Sequence, residues 1–478
     1  MSDRLLSGHE PLDAVLGGGL PANAISLITG RPGSGKTIIA QQYAFRNGSR
    51  ERPAVYLSTV SEPLEKIVRF GQSLDFFHRA AIGKSIFYED LGSTVNRNGL
   101  AGVTEQVATV LKERRPGLVV IDSFRALQAF ARDNAEYRKF LHEMAGRFSA
   151  FPAAALWVGE YEEAEIGSMA EFAVADAIID LDSLKIGQRE IRFLRVRKLR
   201  GSGFLSGSHA YRLTCGGIQV YPRLADVPIE REYALGDVRV SSGIAALDEM
   251  LADGYWPGAS TLIAGPAGSG KTLMGLHFIF NGARQGEPGV VATLQENTTQ
   301  LQRVAGGFGW SLSEPQVEVM YRSPVDIYID EWVYDLLHTV ERTGAKRVLV
   351  DSLADLRMAA ADEIRFREFV YSLAQRFSRQ GVSMIMTLEL QDLFGAARLS
   401  ETAISPLADN VVLLGYRRDQ AMVKRTMAVI KTRASRHDPA IREFLITPGG
   451  ILLGETAPEA PDGGQADVPE LATSAETR

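Results

Sequence analysis

The segment Gly30-Arg-Pro-Gly-Ser-Gly-Lys-Thr37 returns 235 residues later as Gly265-Pro-Ala-Gly-Ser-Gly-Lys-Thr272. Other landmarks repeat in the same order. Leu118-Val-Val-Ile-Asp-Ser123 matches Val348-Leu-Val-Asp-Ser352, and Lys198-Leu-Arg200 matches Lys431-Thr-Arg433. The lead-in Ser7-Gly-His-Glu-Pro-Leu-Asp13 matches Ser242-Gly-Ile-Ala-Ala-Leu-Asp248. A period this long excludes a solenoid and makes two tandem domains of one fold the simplest account. The expected boundaries are 1–225 for the first domain, 226–235 for a linker and 236–455 for the second domain. The segment 456–478 is acidic, poor in large apolar residues and expected to be disordered.

Each octapeptide follows a short apolar run, Ala24–Thr29 or Thr261–Ala264, and precedes apolar residues at helical spacing, as in Thr37–Phe45. The near-continuous apolar runs Leu118–Ile121, Val348–Val350 and Asn410–Leu414 predict parallel strands buried on both faces. Strands alternating with helices give an α/β fold with parallel-core sheets flanked by helices.

Between a strand and a helix, G-x-x-x-x-G-K-[ST] is a P-loop, whose glycines let backbone amides wrap phosphates at a helix N-terminus. The expected ATP-binding residues are Gly30, Gly33, Ser34, Gly35, Lys36 and Thr37, and Gly265, Gly268, Ser269, Gly270, Lys271 and Thr272. Lys36 and Lys271 would reach the β- and γ-phosphates, and Thr37 and Thr272 would ligate Mg²⁺. Asp122 and Asp351 end apolar strands, at the position of the second metal-holding carboxylate. Hydrolysis also needs a group that activates water. The strand Val290–Leu294 runs into Gln295-Glu296, so Glu296 is the candidate base, against the alternative of an exposed glutamate. In the first half Ala54–Ser58 runs into Thr59-Val-Ser-Glu62, which puts Glu62 one place later than the repeat predicts. Lys198/Arg200 and Lys431/Arg433 alternate along strands, as solvated basic residues or as fingers reaching a nucleotide on a neighbouring subunit.

The net charge of −6 argues against nucleic acid as the main partner. A single cysteine, Cys215, excludes an intrachain disulfide and predicts a reducing, cytoplasmic setting. It is expected to be a buried strand residue without chemical role. No apolar stretch approaches the ~20 residues of a membrane span, and the N-terminus lacks a signal-peptide core.

On these residues the chain resembles the KaiC family, the circadian-clock ATPases and autokinases with their bacterial relatives, over nearly its whole length. The segment Lys431-Thr-Arg-Ala-Ser-Arg-His-Asp-Pro-Ala-Ile-Arg-Glu-Phe444 is far more specific than a P-loop. The resemblance implies two RecA-like domains and a double-ring homohexamer with ATP at subunit interfaces. It also implies ATPase activity in the first ring and Ser/Thr autokinase activity in the second. Lys198, Arg200, Lys431 and Arg433 would be the fingers, and a KaiB-like or other signalling protein a partner. Departures matter. The family's adjacent glutamate pair is Gln295-Glu296 in the second half and Val60-Ser61 in the first. The phosphoacceptor pair aligns with Ser405-Pro406, which leaves Ser405 as acceptor or as a turn residue before proline, with Ser400 and Thr402 as lesser candidates. Two other readings stand beside the autokinase: a RecA-like ATPase acting on DNA, and a nucleotide sensor with no kinase output.

Overall fold

The computed structural model describes residues 4–456, apart from 61–63, 167, 187, 228–235, 326, 361, 391–406 and 421. The chain forms two compact units. The first comprises Met1–Glu232 with Arg322–Glu341 and Asp355–Arg376, and the second Tyr233–Tyr321, Arg342–Ala354 and Phe377–Arg478.

In the first unit a short antiparallel pair, β1 (Arg4–Leu5) and β2 (Leu20–Pro21), precedes a nine-stranded sheet. Its strands are β3 (Ile25–Gly30), β4 (Ala54–Ser58), β5 (Ile86–Asp90), β6 (Leu118–Asp122), β7 (Ala154–Val158), β8 (Ala177–Ile186), β9 (Arg189–Leu199), β10 (His209–Thr214) and β11 (Gly217–Tyr221). They lie in the order β11-β10-β9-β8-β3-β7-β6-β4-β5. The six strands from β8 to β5 run parallel, and β9 to β11 close the sheet antiparallel. The continuous apolar character of β3, β4, β6 and β7 has its cause here, because every residue of these strands is buried. Two separate clusters cover the faces, one containing Ile39, Tyr43 and Tyr56, the other Phe124, Phe140 and Trp157.

The second unit repeats this sheet with β12 (Ser260–Gly265), β13 (Gly289–Thr293), β14 (Val317–Tyr321), β15 (Arg347–Asp351), β16 (Ser383–Glu389), β17 (Asn410–Asp419), β18 (Met422–Thr432), β19 (Arg442–Thr447) and β20 (Gly450–Thr456). The order β14-β13-β15-β16-β12-β17-β18-β19-β20 is that of the first sheet strand for strand. Two α/β sheets with one topology are the duplication seen in the sequence. Cys215 departs from expectation. It is exposed in the turn joining β10 to β11, because the strand ends at Thr214.

The repetition extends to a β-bulge. Pairing of β8 with β9 slips between Ile178 and Ile179 and leaves Arg197 as the extra residue. Pairing of β17 with β18 slips between Val411 and Val412 and leaves Ile430. Arg197 turns to the buried Asp180, donating from Nε at 2.8 Å and Nη2 at 2.6 Å to Oδ2. Thr29, one residue before the first P-loop, donates to Asp180 Oδ1 at 2.8 Å. Register places Ala264 and Leu413 where Thr29 and Asp180 stand. In the second repeat Ala264, Leu413 and the exposed Ile430 stand where the first repeat has a hydrogen-bonded ion set. Asp180 is buried and Arg197 reaches it from the surface, so removing the arginine leaves a buried carboxylate without its cation, whereas replacing the whole set by apolar residues is often near neutral. Arg197→Ile alone is expected to destabilise the first unit by about 1–2 kcal/mol, because water reaches the carboxylate it leaves, and Thr29→Ala/Asp180→Leu/Arg197→Ile together by less than the single change. Urea unfolding of the three proteins checks this order, and a triple variant less stable than the single would reject it.

Candidate nucleotide sites

Both P-loops join the end of a central parallel strand to a helix, Lys36–Asn47 or Lys271–Arg284. Gly35 at φ 90° and Gly270 at φ 104° cap these helices in the left-handed region that glycine tolerates. A Cβ on Gly30 would lie 2.4 Å from the Leu181 carbonyl oxygen. The chain must approach its neighbour that closely to turn into the loop. Each loop is braced by a tyrosine: Tyr211 donates to Ser34 O at 2.7 Å and Tyr416 to Ala267 O at 3.1 Å.

The parallel sheet then gathers the rest of each site from separate segments. Thr37 Oγ1 donates to Asp122 Oδ2 at 2.8 Å, and Thr272 Oγ1 to Asp351 Oδ2 at 2.7 Å. Asp122 and Asp351 are both buried. Two residues absent from the sequence argument hold these carboxylates. Tyr56 donates to Asp122 Oδ2 at 2.6 Å, and Thr387 hydrogen-bonds Asp351 Oδ1. They sit on strands adjoining that of the aspartate, a neighbourhood that only the sheet order reveals.

Lys36 and Lys271 are buried, and desolvation lowers the pKa of each. Lys36 Nζ donates to Gly30 O at 3.0 Å and Arg31 O at 2.8 Å, and meets Glu160 Oε1 at 3.4 Å. Lys271 Nζ donates to Pro266 O at 2.9 Å, and the charge of Glu389 acts to raise its pKa. Glu389 pairs with Gly265 in register, and Glu160 lies two residues beyond Val158, which pairs with Ile28. The two glutamates are therefore equivalent, and sequence reasoning missed both.

The loops fit a phosphate chain. Among the described residues, Ser34 Oγ and Ser269 Oγ are buried without a hydrogen-bond partner, beside helix N-termini whose first amides have no intrahelical acceptor. The hydroxyl and carboxylate oxygens of Thr37/Asp122 and Thr272/Asp351 are hard donors of the kind Mg²⁺ prefers.

Glu296 follows β13 and is half-buried. Its Oε2 is buried without a hydrogen-bond partner among the described residues. Desolvation, then the nearby Asp351 charge, raises its pKa above the ordinary carboxylate value. Counting along the sequence from the matched residues Ser58 and Thr293 aligns Ser61 with Glu296, and Ser61 itself lies outside the described residues. Glu62, Ser400, Thr402 and Ser405 lie outside the described residues.

The basic pairs stand toward the amino-terminal ends of the parallel strands, away from the P-loops. Lys198 is opposite Ile178, which pairs with Leu27, three residues before Gly30. Lys431 is opposite Val411, which pairs with Leu262, three residues before Gly265. At ~3.3 Å per residue, about 10 Å of strand separates each lysine from its own P-loop, and the arginines lie further still. Lys198 Nζ donates to the Phe172 and Ala173 carbonyls, and Lys431 Nζ to the Ala408 carbonyl. Arg200 pairs with Asp176 at 3.1 Å and Arg433 with Asp409 at 3.4 Å.

Among the described residues no helix is long and apolar enough to cross a membrane. The family model described as "ATPase: KaiC" matches the chain twice, at residues 6–225 and 240–457. The chain is 27% identical to the circadian clock protein KaiC3 of Synechocystis sp. over 471 residues, covering 95% of this chain and 92% of that protein. It is 27% identical to the circadian clock oscillator protein KaiC of Synechococcus elongatus, covering 92% and 87%. The KaiC protein of Picosynechococcus sp. is 25% identical, with 94% and 89% covered.

The raised pKa of Glu296 has a sign in stability. A carboxyl that holds its proton more tightly when folded contributes stability below its unfolded pKa and loses it as pH rises through the folded value. Glu296→Gln should match the parent near pH 4.5 and become the more stable protein as pH rises toward 8. Urea unfolding without nucleotide across that range measures the divergence, and a gain that grows toward low pH would contradict the environment described for Glu296.

Proposed function

The chain therefore belongs to the KaiC family of ATPases, and we propose that it is a ring-forming Mg·ATPase whose second domain also phosphorylates its own serine or threonine residues. The observation carrying this reading is Glu296: a half-buried carboxylate with a free oxygen beside Asp351 and the second P-loop. In this reading the domains are 1–225 and 236–455, joined by a linker at 226–235. The protein acts in the cytoplasm as a homohexamer. A signalling protein, KaiB-like or of another kind, reads the state of the ring in a clock-type switch.

Each residue has a task. The P-loop amides and Ser34 or Ser269 bind phosphate oxygens, and Lys36 or Lys271 neutralises charge at the β- and γ-phosphates. Thr37 with Asp122, and Thr272 with Asp351, would hold Mg²⁺, which supplies a further charge clamp on the transferring phosphoryl group when bound. Glu296 takes the proton of the attacking oxygen, water in hydrolysis or the Ser405 hydroxyl in autophosphorylation, with Thr402 as a lesser acceptor. Lys198/Arg200 and Lys431/Arg433 serve the nucleotide of a neighbouring chain, a reading supported by their distance along the strands from their own P-loops. Ser61 at the place of Glu296 favours a first site that holds ATP and turns it over slowly, with Glu62 as its remaining carboxylate.

Glu296→Gln is expected to lower second-site turnover by about 10²–10⁴-fold. In the parent protein, turnover falls with decreasing pH through a midpoint above the ordinary glutamate value, and the variant lacks that limb. Arg433→Ala chains, inactive alone, should regain turnover when mixed with Glu296→Gln chains, because mixed interfaces pair an intact finger with an intact base. Absence of such rescue under conditions of subunit exchange would refute action in trans. After incubation with Mg·ATP, phosphate is expected on the tryptic peptide Leu399–Arg417 and absent from it in Lys271→Ala. ATP hydrolysis with that peptide unmodified would leave an ATPase switch and remove the kinase.

A further inference from the structure

We infer that Glu160 is an intramolecular competitor for the first P-loop: its carboxylate takes the lysine that the terminal phosphates of ATP require, and so sets the affinity of that site. This rests on the first P-loop being a nucleotide site. Glu160 Oε1 lies 3.4 Å from Lys36 Nζ, with the lysine side chain 8% exposed and the glutamate 56%. One end of the pair is thus fixed inside the cradle, while the other can leave toward solvent.

The backbone bearing Glu160 is fixed on both sides. Gly159 N donates to Ile28 O at 3.0 Å, extending β7 along the P-loop strand. Beyond it Glu162 and Glu165 form a reciprocal capping box. Arg125 holds Glu165 at 2.9 Å and Arg197 holds Glu163 at 3.3 Å. The same Arg197 is anchored to Asp180 behind the P-loop strand. The acidic segment is therefore tied to the scaffold at three places, which keeps the Glu160 backbone beside the P-loop strand and within side-chain reach of Lys36.

A carboxylate beside this lysine does two things to an arriving triphosphate. Its ion pair must break before Lys36 can turn to the phosphates, and its charge then stands near theirs. Both effects oppose binding, and both are moderate because the glutamate is half-exposed and screened. Removing the charge while keeping the shape is expected to tighten ATP binding at the first site by about 3- to 10-fold. AMP has no phosphate at the reach of Lys36 and should show no change.

The test uses the full chain carrying Lys271→Ala, which disables the second P-loop. Titration calorimetry with ATP and with AMP compares this parent with the same protein carrying Glu160→Gln. Glu143→Gln, an equal charge change on the helix Asn134–Ala150, is the control. The expected result is tighter ATP binding for Glu160→Gln alone, a gain that shrinks as salt rises, and unchanged AMP binding. Equal or weaker ATP binding in Glu160→Gln overturns the inference, as does an equal gain in Glu143→Gln. Loss of first-site turnover with unaltered affinity also overturns it, by making Glu160 the base. A parent that binds ATP nowhere overturns the first P-loop as a nucleotide site, a different failure.

Discussion

Everything at these sites depends on a backbone requirement: phosphate has to be met by amides at the start of a helix that leaves a central strand at once. Glycines at φ 77° and 90° in the first loop, and at 70° and 104° in the second, make that turn possible. Once the turn is made, the lysine that opens the helix is buried in the loop, and its ammonium has to be satisfied by the carbonyls it has just passed. Lys36 accordingly bonds Gly30 O and Arg31 O, and Lys271 bonds Pro266 O. Parallel strands complete the arrangement, because their carboxyl ends share one edge, where residues from separate segments arrive beside the loop.

The duplicated sheets show which parts of this arrangement are exchangeable. The threonine–aspartate pair, the left-handed helix cap and the bulge between the antiparallel strands occur in both units. The support behind them differs. Asp122 is held by a tyrosine from β4 and Asp351 by a threonine from β16. The bulge residue is an arginine bonded to a buried aspartate in one unit and an isoleucine in the other. The position of the carboxylate beside the P-loop threonine is thus the same in both repeats, while the group that orients it is free to change strand.

That contrast explains what the sequence could tell. P-loop residues are contiguous and their spacing reports their geometry, so the loops, the flanking strands and the aspartates at the ends of β6 and β15 were all legible. Glu160 and Glu389 were not. Each is an unremarkable glutamate after an apolar run, and nothing local says that β7 and β16 lie next to the P-loop strand. Tyr56 and Thr387 were hidden for the same reason, since they act across strand pairs. Cys215 failed differently: a pattern of alternation carried on past Thr214, where the chain had already begun to turn. The hydrophobic period sees strands but does not see where they stop.

The separation between cradle and basic pair has a consequence for assembly. The carboxyl ends of the parallel strands carry the phosphate loop, the lysine and the aspartate; Lys198/Arg200 or Lys431/Arg433 lie toward their amino ends. A chain reading its own pair at its own loop would have to cross about 10 Å of strand, more than half-buried lysines tied to Phe172, Ala173 and Ala408 carbonyls can span. If the pairs serve phosphate at all, they serve it on another chain, and the contact then joins unlike ends. Contacts between unlike surfaces do not end at two copies; they close into a ring or continue as a filament. In a closed ring with one such contact per repeat, the contacts of the first repeat and those of the second would have to agree in subunit number.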